Sequence, residues 1–362
     1  MAERGKNESM RRENNRLKVE RLFILGAGAS YSASNSGGKN SKKTCPLDKD
    51  FCHAIHGLEV ERPQWVQSAK EQIQRCWKDD IPFEEYGLEK AIIRELGHLE
   101  FLGAVHPRRL RNALSQDDFI NLITHLICYL LVRTKENRSA PYKKMISKLF
   151  PKGKAAPKNR ILTFNYDTLV DNHLLRRFSP RMVYFDRMGN HSQDNRRTSE
   201  QRHSNPLLIK LHGSINWWCP KAEYHESLAH SDINSPYRIE NIWCTHNTNP
   251  DPNDDSSPLI IPPLPEKPIT TVSIFKYLWT IAYEYLNMAK EIVICGYSLP
   301  ETDKLATSLF GSFNPKNLQN VTVVDPDASM LAKWRQLLGG KRVSKIMWNY
   351  HSDFAEYIEH QF

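Results

Sequence analysis

Four short motifs in this chain set small or polar residues directly after apolar runs. Gly26-Ala27-Gly28-Ala29-Ser30 follows Leu22-Phe-Ile-Leu25, and residues that small let backbone N–H groups approach a phosphate closely. Thr163-Phe164-Asn165-Tyr166-Asp167 follows Arg160-Ile-Leu162. An Asn amide there offers a donor and an acceptor at fixed geometry, suited to ribose hydroxyls or a carboxamide; Asn and Asp at such a place also build turns into a following helix. His212-Gly213-Ser214 closes Leu207-Leu-Ile-Lys-Leu211. Its imidazole could be a general base near neutral pH, or a structural histidine. Gly296-Tyr297-Ser298 closes Glu291–Cys295 as a small-residue turn that could touch ribose or phosphate, and Asp325 closes Asn320–Val324, where an acid can hold an adenosine ribose hydroxyl.

These motifs need a scaffold that brings them to one edge. Apolar runs at 21–25, 160–163, 207–211, 291–295 and 320–324 alternate with helical patterns, notably 272–290 and 327–338. Short strands without polar alternation, separated by helices, predict an α/β fold: a Rossmann-like parallel sheet with helices on both faces. In such a sheet ligands bind at the carboxyl ends of the strands, where every motif above falls. Met182–Phe185, Pro258–Ile261 and Lys345–Trp348 are weaker strand candidates. Between 45 and about 150 no strand is evident. Ser115-Gln-Asp-Asp118 resembles a capping box with Asp in place of Glu, and apolar residues at 119, 122, 123, 126, 127, 130 and 131 mark one buried helical stripe. Glu89–Leu102 is a second amphipathic helix. The organisation expected is a polar extension (1–20), a Rossmann domain in two pieces (21–44 and 155–362) and a helical insertion module (45–154). Stretches 186–205 and 245–257 are polar enough to be surface loops.

The 362 residues include 50 Lys+Arg and 41 Asp+Glu, a net charge of +9. Ten basic residues and one acid, Glu136, lie between Arg133 and Arg160, so the remainder is neutral. A nucleic-acid substrate is therefore not implied by charge. The segment 133–160 is either a solvated connector or a docking site for nucleic acid or an acidic partner. The first twenty residues lack the apolar stretch of a signal peptide, and Phe119–Val132 is too short to span a bilayer. Seven scattered cysteines suit reduced thiols, so a cytoplasmic protein without membrane contact is expected. Cys219, His225, Cys244 and His246 are too irregularly spaced to predict a metal site.

The order GAGAS, TFNYD, LHGS, CGYS-LP and VVDP resembles the NAD-binding domain of the sirtuin (Sir2) superfamily. It is most similar to the Sir2-like domains of bacterial antiphage defence systems, which hydrolyse NAD. By that resemblance Gly26, Ala27, Gly28 and Ser30 would hold the NAD phosphates. Asn165 and Asp167 would correspond to the Asn-x-Asp motif that positions the nicotinamide ribose, with Asn165 catalytic and Thr163 and Asp167 binding the cofactor. His212 would be the catalytic histidine, Gly296 and Ser298 would lie in the Gly-x-Ser turn, and Asp325 near the adenosine. Deacylating sirtuins carry Gly-Ile-Pro-Asp-Phe-Arg where this chain has Tyr31-Ser-Ala-Ser-Asn-Ser-Gly-Gly38, and most have two zinc-binding Cys-x-x-Cys pairs, which it lacks. The resemblance thus implies an NAD hydrolase awaiting a trigger, rather than a protein deacylase or a non-catalytic nucleotide sensor. The partners it implies are NAD, further copies of the chain and an ATPase of the HerA type or another defence subunit.

Overall fold

The computed structural model describes residues 19–35, 44–58, 63–77, 80–105, 115–137, 140–151, 158–185, 205–245, 250–264, 266–300, 303–314, 316–338 and 346–362. Nearly all of the expected 1–20 extension, all but the last residue of the expected 186–205 loop, Lys152, Lys154 and His246 lie outside the described residues. Strand β1 (Arg21–Leu25) leads into α1 (Ala27–Ser34), and a run of helices follows: α2 (Asp48–His56), α3 (Gln64–Cys76), α4 (Leu88–Val105), α5 (Gln116–Leu131) and α6 (Pro141–Leu149). Then come β2 (Asn159–Thr163), α7 (Leu169–Leu175), α8 (Pro180–Val183), β3 (Leu208–Lys210), β4 (Gly213–Pro220), α9 (Lys221–Ala229), β5 (Trp243–Cys244) and β6 (Ser256–Ile260). The chain finishes with α10 (Ser273–Met288), β7 (Glu291–Cys295), α11 (Lys304–Ser312), β8 (Asn320–Val324), α12 (Ser329–Leu338), β9 (Met347–His351) and α13 (Phe354–Gln361).

Six strands form one sheet in the order β3-β2-β1-β7-β8-β9, and every neighbouring pair is parallel. Taken in chain order these six run 3-2-1-4-5-6, the Rossmann arrangement, with its topological switch point between β1 and β7. Four of the strands bury everything but their first residue, which is why they read as unbroken apolar runs. The fold is α/β, Rossmann-like, with helices packed around the sheet.

A second, antiparallel sheet of order β5-β4-β6 was not anticipated. Its longest strand, Gly213-Ser-Ile-Asn-Trp-Trp-Cys-Pro220, is buried up to its last residue and so shows no polar alternation. Gly213 lets the chain turn from β3 into β4: its φ is 80°, and an added Cβ would lie 2.1 Å from the Leu259 carbonyl oxygen. The expected strand at Met182–Phe185 is instead the short helix α8, with Pro180 in its first turn, where a missing N–H costs nothing.

Two apolar clusters organise the packing. One surrounds the large sheet. The other joins α2 to α5 through Phe51, Ile55, Ile92 and Phe119, and extends onto Ile215 and Trp218 of β4, Ile260 of β6, and Leu264. Ser115 caps α5 by accepting from the Asp118 N–H at 3.1 Å. The basic stretch is not wholly a connector: α6 buries Tyr142, Met145, Ile146 and Leu149 in the sheet's cluster, away from the other helices of the insertion. Its outer face pairs Lys144 with Glu359, and Lys158 pairs with Glu20.

At the switch point the glycine turns after β1 and β7 lie against each other. Gly26 and Gly28 donate their N–H groups to the carbonyls of Cys295 and Gly296, both at 2.9 Å. Gly296 has φ 58°, and a Cβ there would sit 2.2 Å from the Ala29 nitrogen. Gly296→Ala should therefore destabilise the fold by about 2–5 kcal/mol, combining left-handed strain with overpacking, as read from urea unfolding.

Candidate active site

His212 stands at the carboxyl end of β3, where the chain turns into β4. Its carbonyl accepts from the Ile261 N–H at 2.9 Å, which fixes the backbone on which the ring is mounted. The ring is buried among Phe164, Tyr166 and Trp279, with centroids 5.4, 6.3 and 6.3 Å away. Trp279 is held in turn by its indole N–H, which donates to the Leu211 carbonyl.

Two charged groups meet the ring inside this apolar shell. His212 Nε2 lies 3.5 Å from Asp303 Oδ2 and 3.4 Å from Lys267 Nζ, and Lys267 Nζ lies 3.1 Å from the same Asp303 oxygen. An ammonium can only donate, so Lys267 hydrogen-bonds to Nε2 when that nitrogen is unprotonated and the ring proton is on Nδ1. Burial, aided by the Lys267 charge and opposed by Asp303, holds the His212 pKa at about 3. The imidazole is thus neutral at physiological pH. Burial tends to raise the Asp303 pKa, but His212 and Lys267 outweigh it and hold that carboxyl below its usual range. Asp303 also caps α11, accepting from the Ala306 N–H, and takes a hydrogen bond from the Tyr297 hydroxyl. Tyr297 stacks on Phe164 at 4.0 Å with the rings nearly parallel, so the ends of β2 and β7 support the same cluster.

Asn165 is tied to the glycine turn. Its amide nitrogen donates to the Gly26 carbonyl at 2.8 Å and to Ser30 Oγ at 3.0 Å. Both donors are occupied by the protein, leaving the carbonyl Oδ1 as the group this side chain can offer a ligand. Ser30 is buried and also meets the Tyr142 hydroxyl at 3.1 Å. Thr163 is buried, donates to the Leu25 carbonyl and accepts from the Asn165 N–H, so it braces the two strand ends. Asp167 is buried, and its Oδ1 accepts from the Leu169 N–H at 2.9 Å, an Asx turn that starts α7. In this geometry Ser30, Thr163 and Asp167 act on the scaffold. Ala27 is exposed and Gly28 half-buried at the start of α1.

Gly296 is engaged in the turn-to-turn contact described above. Ser298 is exposed, while its carbonyl and that of Leu299 accept from Lys333 Nζ, both at 2.7 Å. Leu299 is buried with φ 51°, a strained backbone at the edge of the site. Asp325 is half-buried, its Oδ1 accepting from the Asp327 N–H, and burial raises its pKa. The structure thus joins Gly26, Ser30, Thr163 and Asn165 directly and sets His212 beside them through Phe164. Ser298 and Asp325 stand on the β7 and β8 side of the switch point. Asp303 and Lys267 are the additions. Asp303 ends the Gly296-Tyr-Ser-Leu-Pro-Glu-Thr-Asp303 stretch, so an acid was visible there; nothing in the sequence marks Lys267. Cys219 is buried within β4, and Cys244 lies near the Asn216 amide. Among the described residues no three His, Cys, Asp or Glu side chains are grouped to hold a metal ion, and no helix is long and apolar enough to cross a membrane.

Buried neutral histidines make stability depend on pH. His125, in α5, has its pKa lowered to about 4, first by burial, and His212 to about 3. Below about pH 6.5 the unfolded chain protonates both and the folded one does not, so acid favours unfolding. Glu95, raised to about 7 by burial, binds its proton in the folded state first and offsets one of them. Across these three groups the unfolded chain binds one proton more, which contributes a loss of about 1.4 kcal/mol per pH unit towards pH 5. His225, also lowered by burial, acts in the same direction, so urea midpoints between about pH 6.5 and 5 should fall with acid.

No family model and no curated protein matches the chain. Among solved structures, one similar chain comes from a study of the structural basis of sirtuin substrate affinity: 12% identity, TM-score 0.37, covering 98% of this chain and 96% of that one. Another is a Sir2 structure in complex with an inhibitor, 2′-O-acetyl-ADP-ribose and a deacetylated peptide: 10% identity, TM-score 0.34, with coverages of 98% and 96%. The Rossmann-like fold itself rests on the strand order and the parallel pairing of the large sheet.

Proposed function

We propose that this chain hydrolyses NAD at the bond between nicotinamide and ribose, releasing nicotinamide and ADP-ribose. The observation that supports the reading is a buried His212 at a strand's carboxyl end, its ring against Phe164, while the next residue, Asn165, has its amide fixed on the glycine turn. The dinucleotide would lie across the strand ends, its phosphates near the exposed start of α1. Asn165 Oδ1 would accept from a ribose hydroxyl. As nicotinamide departs and positive charge develops on the ribose, His212 Nε2 would take a proton from the attacking water or a ribose hydroxyl. Asp303, 3.5 Å away, favours the imidazolium that results.

An enzyme that destroys NAD has to be silent until needed. The resemblance to antiphage Sir2-like domains supports a role as the toxic effector of such a system, with activity released by a trigger, a partner ATPase or self-assembly. Chromatographic detection of nicotinamide and ADP-ribose from NAD, with and without candidate partners, tests the reaction. O-acetyl-ADP-ribose formed only with an acylated peptide would make the chain a deacylase. Thermal stabilisation by NAD with no turnover under any partner condition would make it a sensor.

A further inference from the structure

We propose that Lys267 is a removable cap on His212, mounted on a connector gripped at one end by the helical module and at the other by the sheet. This rests on the reading of His212 as general base. The Lys267 side chain is only 8% exposed, an unusual place for an ammonium, and its polar neighbours there are Nε2 of His212 at 3.4 Å and Oδ2 of Asp303 at 3.1 Å. Its hydrogen bond engages the lone pair that would receive the proton. A proton arriving on Nε2 would also create an imidazolium against an ammonium, a like-charge pair in an apolar shell.

The two charged neighbours pull the base in opposite directions, and they are held differently. Asp303 is fixed by the first turn of α11 and by the Tyr297 hydroxyl. Lys267 reaches in on a flexible stem from the segment between β6 and α10. On that segment Leu264 is packed into the helical cluster and Ile269 into the cluster of the large sheet. Next to it, Ile261 accepts the Tyr166 hydroxyl at 2.6 Å and donates to the His212 carbonyl. A shift of the helical module against the sheet moves one anchor and leaves the other, drawing the ammonium off Nε2. Asp303 then remains as the base's charged neighbour. The module inserted after α1 would in this way govern a proton acceptor on β3.

Carbethoxylation of His212 by diethyl pyrocarbonate, read by mass spectrometry on the full chain, tests the cap without relying on turnover. Lys267→Met keeps side-chain bulk and removes the donor and charge; Lys267→Arg keeps both. His212 should react about tenfold faster in the Met variant, the size of a charge-assisted hydrogen bond lost, and stay protected in the Arg variant. Leu264→Ala, which loosens the connector without altering charge, should also speed the reaction. Equal rates in wild type and Lys267→Met, or equal rates in the Met and Arg variants, would overturn the cap. If Lys267→Met does not fold, an unchanged rate in Leu264→Ala overturns it instead. Faster labelling without nicotinamide release would leave the cap standing and remove the proposed hydrolase.

Discussion

Replacing His212 with alanine is expected to slow nicotinamide release from NAD by roughly 10²–10⁴-fold, the usual contribution of a positioned general base. That corresponds to about 3–5 kcal/mol of transition-state stabilisation. The loss should appear in kcat with KM little changed, since Nε2 meets the reacting proton rather than the bulk of the dinucleotide. Asn165→Ala should lose comparably, for a further reason visible in the structure. Its amide also holds the Gly26 carbonyl and Ser30 Oγ, so the variant loosens the turn as it removes the Oδ1 acceptor. KM should therefore rise in Asn165→Ala and not in His212→Ala. Undiminished activity in both would remove these residues from the reaction.

The second large effect concerns stability. Lys210 and Asp171 are fully buried and paired, Nζ lying 3.1 Å from Oδ2. Burial still raises the Asp171 pKa, against the opposing pull of Lys210. The pair continues into a buried chain: the Tyr184 hydroxyl donates to Asp171, the Asn216 amide to Tyr184, and Ser214 Oγ to Asn216. Lys210→Met would strand a carboxylate in the interior, which should cost about 3–5 kcal/mol in denaturant unfolding. Lys210→Met with Asp171→Leu should recover most of that, because an apolar pair of similar bulk leaves no orphaned charge. A double variant no more stable than the single one would mean that the rest of the chain, through Tyr184 and Asn216, carries the stability.

The large sheet was readable because its strands are covered on both faces; Leu22–Leu25 and Ile292–Cys295 show it as unbroken apolar runs. The same rule hid the small sheet. Strand β4 is buried up to its last residue, so Ile215-Asn-Trp-Trp218 carries no mark of antiparallel pairing. At the site, motif position was legible and side-chain direction was not. Thr163 and Asp167 stand where a ligand contact was expected, yet each satisfies the backbone of a neighbouring turn. Short polar side chains at strand ends serve both purposes with equal ease, and only the fold decides. Lys267 was invisible for a different reason. A lysine in a proline-rich stretch looks solvated, and its partners come from distant parts of the chain.

Strand β1 lies at the centre of the large sheet, and its two hydrogen-bonding partners are made late. Thr163 reaches the Leu25 carbonyl across 138 residues, and Glu291 meets Arg21 across 270. Synthesis from the N-terminal side therefore leaves this apolar strand with both edges open until β2 is made, and with one edge open until β7. The helices of the insertion form from nearer contacts and draw the far ends together, shortening the loop that β2 must close. Placing the inserted helices between the first two strands thus also sets the order of assembly: of the strands with two neighbours, β1 waits through the longest stretch of chain for its second one.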